Sequence, residues 1–96
     1  MLKLEDFITS KIYIKTFGNI LQAIRMKKGF SQEKLALECG LDRTFISMLE
    51  RGVRQPSLTT LVKISNTLQI KPSKLLVETE KKIVKGVKKK LNTKPL

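Results

Sequence analysis

Apolar residues recur at helical spacing along most of the chain. Phe17, Leu21 and Ile24 share one face, and their segment stops at Gly29 after the cationic pair Lys27-Lys28, as suits a helix closed by a residue of positive φ. Ser31 offers an N-cap for a second helix that starts at Gln32-Glu33 and runs to Cys39. The residue three beyond that cap is Lys34, so no glutamate completes a capping box. Gly40 ends the second helix after about two turns. Asp42 caps a third over residues 43–51, and Gly52 stops it. Beyond the polar loop Val53-Arg54-Gln55, the pair Pro56-Ser57 opens a fourth helix in which Leu58, Leu61, Ile64, Ser65 and Leu68 are expected to face inward. Pro72 begins a last short helix, with Leu75 and Leu76 closing the core. The pattern predicts an all-α, compact five-helix bundle.

Within it, two short helices flank a turn of three to four residues across 32–51, the spacing of a helix-turn-helix. Small Ala36 falls where the two helices must approach, Gly40 where the backbone must take a positive φ, and Ile46 with Leu49 where the second helix must bury a stripe. Leu35, Cys39 and Leu41 complete the expected interior. A generic helical hairpin would use the same small and apolar residues, so this pattern alone leaves that alternative open.

Two flanks depart from the patterned core at 17–77. The arm, residues 1–16, carries Phe7, Ile8, Ile12, Tyr13 and Ile14, too apolar for a disordered leader and too short to fold alone. It is expected to dock, with a two-fold dimer interface as the expected place. In the tail, residues 78–96, Ile83, Val84, Val87 and Leu91 fall at helical spacing among Lys81, Lys82, Lys85, Lys88, Lys89 and Lys90. A basic helical extension could pack on a partner subunit, touch phosphates or lie on anionic lipid. Gly86 and the KKKLNTKP ending fit a frayed, solvated tail equally well.

Composition narrows the functional classes. Ninety-six residues suffice for one domain with a modest core. The net charge of +12 is spread over the chain: three lysines against two acids in the arm, ten basic against four acidic residues in the core, seven lysines against two glutamates in the tail. A polyanionic partner is implied. No apolar run reaches the length of a membrane span, and the opening LKLEDF is wrong for a secretory signal, so a cytoplasmic protein without a membrane partner is expected. With no histidine and the single Cys39, zinc fingers and histidine-dependent catalysis are excluded, and neither metal nor cofactor is expected. Cys39, on the inner face of helix two, reads as core. Nothing in the sequence suggests a phosphate-gripping glycine loop, a paired-carboxylate site or an activated nucleophile, so no enzyme is expected.

The stretch FSQEKLALECGLDRTFISMLERGVRQPSLTTLVKIS resembles the Cro and phage-repressor type of helix-turn-helix domain, the xenobiotic-response-element family, over about residues 17–76. Ser-Gln-Glu opening helix two, Ile-Ser-x-Leu-Glu-Arg-Gly closing helix three and Pro-Ser-Leu opening helix four occur together at that family's separations. Leu41 to Ser47 is also similar to the recognition helix of restriction-modification controller proteins. Such relatives often carry tyrosine at the place of Phe45 and alanine at that of Ser65; without the hydroxyl at Phe45, a hydrogen bond to DNA is lost.

The resemblance implies a lambda-repressor-like fold and a sequence-specific regulator that binds double-stranded DNA, as a homodimer on a palindromic operator. It places Arg43, Thr44, Ser47 and Met48 against base edges, Arg43 as the leading candidate for bidentate recognition of guanine. Gln32, Arg51, Arg54 and Gln55 take phosphate-contacting roles. Arg25 and Glu50 are implied as a partly buried structural salt bridge. An antitoxin-like or adaptor module, using the same fold mainly to hold another protein, is the alternative.

Overall fold

The computed structural model describes residues 4–92, with side chains described through Val87; Lys88, Lys89, Lys90 and Leu91 fall outside the described side chains. Among the described residues the chain forms five α-helices: α1 (Leu4–Lys27), α2 (Gln32–Cys39), α3 (Arg43–Glu50), α4 (Leu58–Thr67) and α5 (Pro72–Asn92).

The three inner helices begin on the caps that their sequences offer. Ser31 Oγ accepts from the Lys34 amide at 3.0 Å, Asp42 Oδ1 from the Thr44 amide at 2.9 Å, and Ser57 Oγ from the Thr60 amide at 3.1 Å. Each satisfies one N–H that has no partner within its helix. Gly40 ends α2 at φ 69°, a left-handed conformation that costs a residue with a Cβ about 1 to 2 kcal/mol. Its neighbour Leu41 returns an amide hydrogen bond to the Ala36 carbonyl at 2.8 Å, closing the turn that sets α3 across α2.

Both outer helices are longer than the sequence pattern suggests. Helix one is expected to begin near Phe17, yet it starts at Leu4, so that most of the arm is its first half. No proline interrupts this stretch, and Glu5 and Asp6 favour a helix start through the backbone dipole. The interior Gly18, a weak helix former, is no breaker here because α1 gains more from packing. A Cβ at Gly18 would lie 2.4 Å from the Leu49 carbonyl oxygen and 2.6 Å from that of Glu50, so only glycine lets α1 approach the end of α3. Likewise the last helix is not short but runs through Asn92. Its first turns close the bundle with Leu75 and Thr79, and it packs along α1.

The core is one cluster built from Phe17, Leu21, Leu35, Ala36, Cys39, Ile46, Leu49, Leu61, Ile64, Leu68 and Leu75. Two expected core positions are corrected. Leu58 is 77% exposed because it is the first residue of α4, preceding the turn whose inner face begins at Leu61. Leu76 is 47% exposed, since Leu75 and Thr79 take the inner face of α5. Ser65 is fully buried, its hydroxyl donating to the Leu61 carbonyl at 2.7 Å, which explains how a polar residue is tolerated there.

Candidate nucleic-acid interface

The helix-turn-helix positions its exposed side chains by burying the others. On α3, Ile46 and Leu49 are completely buried and Glu50 nearly so, which turns Arg43 and Thr44 outward in the first turn. Ser47 and Met48, one turn further along, are half-buried. Arg43 thus exposes its guanidinium fork, unpaired among the described residues, at the N-terminal end of α3, the end that enters a groove in helix-turn-helix docking.

Behind this face lies the ion pair that locks the motif. Both Arg25 Nε and Nη2 donate to the two carboxylate oxygens of Glu50, the second at 3.0 Å, while Nη1 donates to the Phe30 carbonyl at 2.7 Å. Gln32 Nε2 donates to Glu50 Oε1 at 2.9 Å. One buried carboxylate thus joins the end of α1, the start of α2 and the end of α3. Gln32 is held by this network, with its backbone amide still at the first position of α2, where an anion is favoured.

An open cleft of about 650 Å³ joins the N-termini of α2 and α3, lined by Ser31, Gln32, Glu33, Lys34, Leu37 and Arg43 with Arg25 at its base. Lys34, not singled out from sequence, lines this cleft as well. Its position three residues beyond the cap Ser31 is the signal that could have found it, because that spacing brings a side chain back over the helix start. The Lys34 ammonium stands 5.0 Å from the centre of the Phe30 ring.

Beyond α3 the basic residues are braced individually. Arg51 Nε donates to Ser47 Oγ at 3.3 Å, so that the hydroxyl expected at a base edge also steadies a phosphate candidate. Lys15 Nζ donates to the Arg51 carbonyl at 3.2 Å and places a cation at the negative end of α3. The Arg54 guanidinium lies over the Phe45 ring, 5.6 Å from its centre. Gln55, next to Arg54 in the chain, is exposed as well. It lines an apolar groove of about 260 Å³ with Tyr13, Ile14, Phe17, Leu58 and Leu76.

Cys39 is buried, with Sγ 3.3 Å from Thr67 Oγ1. Burial pushes its thiol pKa upward, only partly opposed by the Thr67 hydrogen bond. A thiol kept neutral is a core group.

Comparison with known proteins agrees with this geometry. The helix-turn-helix family description matches residues 21–75. Control protein C.BamHI of Bacillus amyloliquefaciens is 51% identical over 61 residues, which are 62% of this chain and 75% of that protein. Control protein C.MunI of a Mycoplasma species is 46% identical over 66 residues, 68% of this chain and 89% of the relative. Among solved structures, the restriction-modification controller protein C.AhdI from Aeromonas hydrophila superposes with a TM-score of 0.63 at 42% identity, covering 65% of this chain and 94% of that one. The chain therefore belongs to the Cro-type helix-turn-helix family, whose members are DNA-binding transcription regulators and not enzymes, and restriction-modification controller proteins are among its relatives.

Proposed function

We propose that this protein is a sequence-specific transcriptional regulator of the controller type, acting in the cytoplasm as a homodimer on a palindromic operator. The observation that carries this reading is the placement of Arg43 and Thr44 on the outer face of α3, held there by the buried Ile46, Leu49 and Glu50. Arg43 reads a guanine by a bidentate contact. Thr44 meets a base edge or thymine methyl beside it, and Ser47 and Met48 adjust the fit one turn on. Gln32 with the amides at the start of α2, together with Arg51, Arg54 and Gln55, sets the register on phosphates. A homodimer suits this reading, since one such domain would cover half of a palindrome. The exposed apolar stripe Leu4, Phe7, Ile8 and Ile12 on the first half of α1 is the surface assigned to the second copy.

That same stripe is what favours the alternative, an adaptor that holds a different protein. Selection of bound sequences from a random duplex pool at physiological salt separates the two. A regulator enriches a palindrome and prefers it over bulk DNA by roughly a thousandfold or more, and Arg43→Ala loses the preference at one base in each half-site. An unenriched pool would refute the regulator. Light-scattering mass across micromolar concentrations tests the dimer, and a mass fixed at one subunit with and without the selected duplex would remove it.

A further inference from the structure

Phe45 occupies a position with two neighbours of different kinds. Part of its ring packs against the buried core cluster, and the residue is half-buried as a result. The exposed Arg54 reaches back from the loop after α3 and sets its guanidinium over that ring. The loop between them turns at Gly52, whose φ is 74° and where a Cβ would lie 2.8 Å from the Lys15 Cα. The path of the loop is therefore fixed at its start by contact with α1. A long, fully hydrated arginine at a loop tip ordinarily samples many rotamers, and ordering it on a phosphate costs entropy. The Phe45 ring, packed in part on the core, lowers that cost by holding the cation over it before any ligand arrives.

We propose that Phe45 is a positioning residue, a core-anchored platform that stacks Arg54 so that its guanidinium is presented to a DNA phosphate flanking the recognition helix. The inference deepens the DNA-binding reading and rests on it. The Phe45 ring offers no polar group of its own. Its lack of a hydroxyl is not a gap in the interface, because the stacked guanidinium supplies the charged donor at this corner. Arg54 acts on any duplex alike, because a phosphate carries no sequence information.

Because the contact is independent of sequence, a labelled mixed-sequence duplex titrated over a series of salt concentrations is a sufficient probe. Arg54→Ala should lower the slope of log Kobs against log salt by about 0.9, the value of one phosphate contact. Phe45→Leu, which keeps an aliphatic core contact, should weaken binding about two- to five-fold in the wild-type background. It should have little effect when Arg54 is already alanine, and Phe45→Tyr should bind as the wild type does. A merely structural role for Phe45 predicts additive losses, and additivity would overturn the proposal. So would an unchanged salt slope in Arg54→Ala, although salt-dependent wild-type binding would leave the DNA-binding reading intact. No binding by the wild-type chain would instead overturn that reading, and this proposal with it. A measurement that needs no substitution keeps the matter decidable if Phe45→Leu fails to fold. In the wild-type chain, the Arg54 δ protons should show nuclear Overhauser contacts to the Phe45 ring and a ring-current shift; absence of both overturns the stacking.

Discussion

Replacing Arg25 with methionine removes the guanidinium that meets both carboxylate oxygens of Glu50 and leaves a carboxylate only 5% exposed, with the Gln32 amide as its remaining partner. A buried pair broken on one side is destabilised by about 3 to 5 kcal/mol, chiefly because the surviving charge is left uncompensated in low dielectric. For a chain of 96 residues, ordinary stability is roughly 5 to 14 kcal/mol, so the loss is a large fraction of the whole. Glu50→Gln should fall in the same range. Its amide still offers Oε1 to one donor, but it strands the Arg25 charge, itself 8% exposed.

The informative variant is the double one, Arg25→Met with Glu50→Gln, which removes both charges. It should recover most of the loss, because a buried ion pair is weak evidence of net stability even when each half depends on the other. Recovery will stop about 1 kcal/mol short, since Arg25 Nη1 also donates to the Phe30 carbonyl and that bond is lost in every Arg25 variant. Urea unfolding at 25 °C, followed by circular dichroism and extrapolated to water, gives the three differences. Single variants with the parental midpoint would refute the reasoning, and so would a double variant as unstable as the sum of the singles.

Gly18→Ala must separate α1 from α3, because its methyl would sit 2.4 Å from a backbone carbonyl oxygen that cannot rotate away; a loss of about 1 to 3 kcal/mol is expected in the same urea assay, with weaker duplex binding. Gln69, which follows α4 at φ 57°, holds a left-handed conformation that glycine adopts freely; Gln69→Gly should stabilise the fold by up to about 1 kcal/mol, read as a higher urea midpoint. Cys39 supplies a pH dependence of known sign: its folded pKa is raised above the ordinary 9.0, so its contribution is fully present below that pH and is lost as pH rises through the folded value. Unfolding midpoints measured from neutral pH upward should fall more steeply above pH 9.0 in the wild type than in Cys39→Ala, and a disulfide reagent should label the native thiol only as fast as the chain opens.

What was legible in the sequence was local. Ser31, Asp42 and Ser57 each act through an amide two or three residues away, and Gly40 through its own φ, so the inner helices and their turn follow from neighbours in the chain. The buried stripe of α3 was likewise written in the spacing of Ile46 and Leu49. The Arg25 and Glu50 pair is 25 residues apart, and periodicity says nothing about such a meeting. Only the resemblance to a family suggested it. Leu58 and Leu76 failed as core positions for a related reason. An apolar residue next to a helix start or beside a true core position satisfies the same count, and which neighbour wins is decided by the partner helix.

The reach of α1 was hidden for a stronger physical reason, and it bears on function. Residues 4–16 show no terminating signal, yet helix-start signals at Glu5 and Asp6 are too weak to assert a helix without a surface to pack on. That surface includes the end of the recognition helix. Gly18 abuts the carbonyls of Leu49 and Glu50, Lys15 Nζ takes the carbonyl of Arg51, and the Lys15 backbone fills the space beside Gly52. The C-terminal end of α3 is thus held from α1, outside the turn that holds its N-terminal end at Asp42. With α3 fixed at both ends, the proposed reading has Arg43 presented at one angle, so a change at Lys15 or Gly18 should shift affinity for the duplex although neither residue is among the proposed base contacts. Base choice should persist in such variants, because Arg43 and Thr44 keep their own cap and their own exposed face.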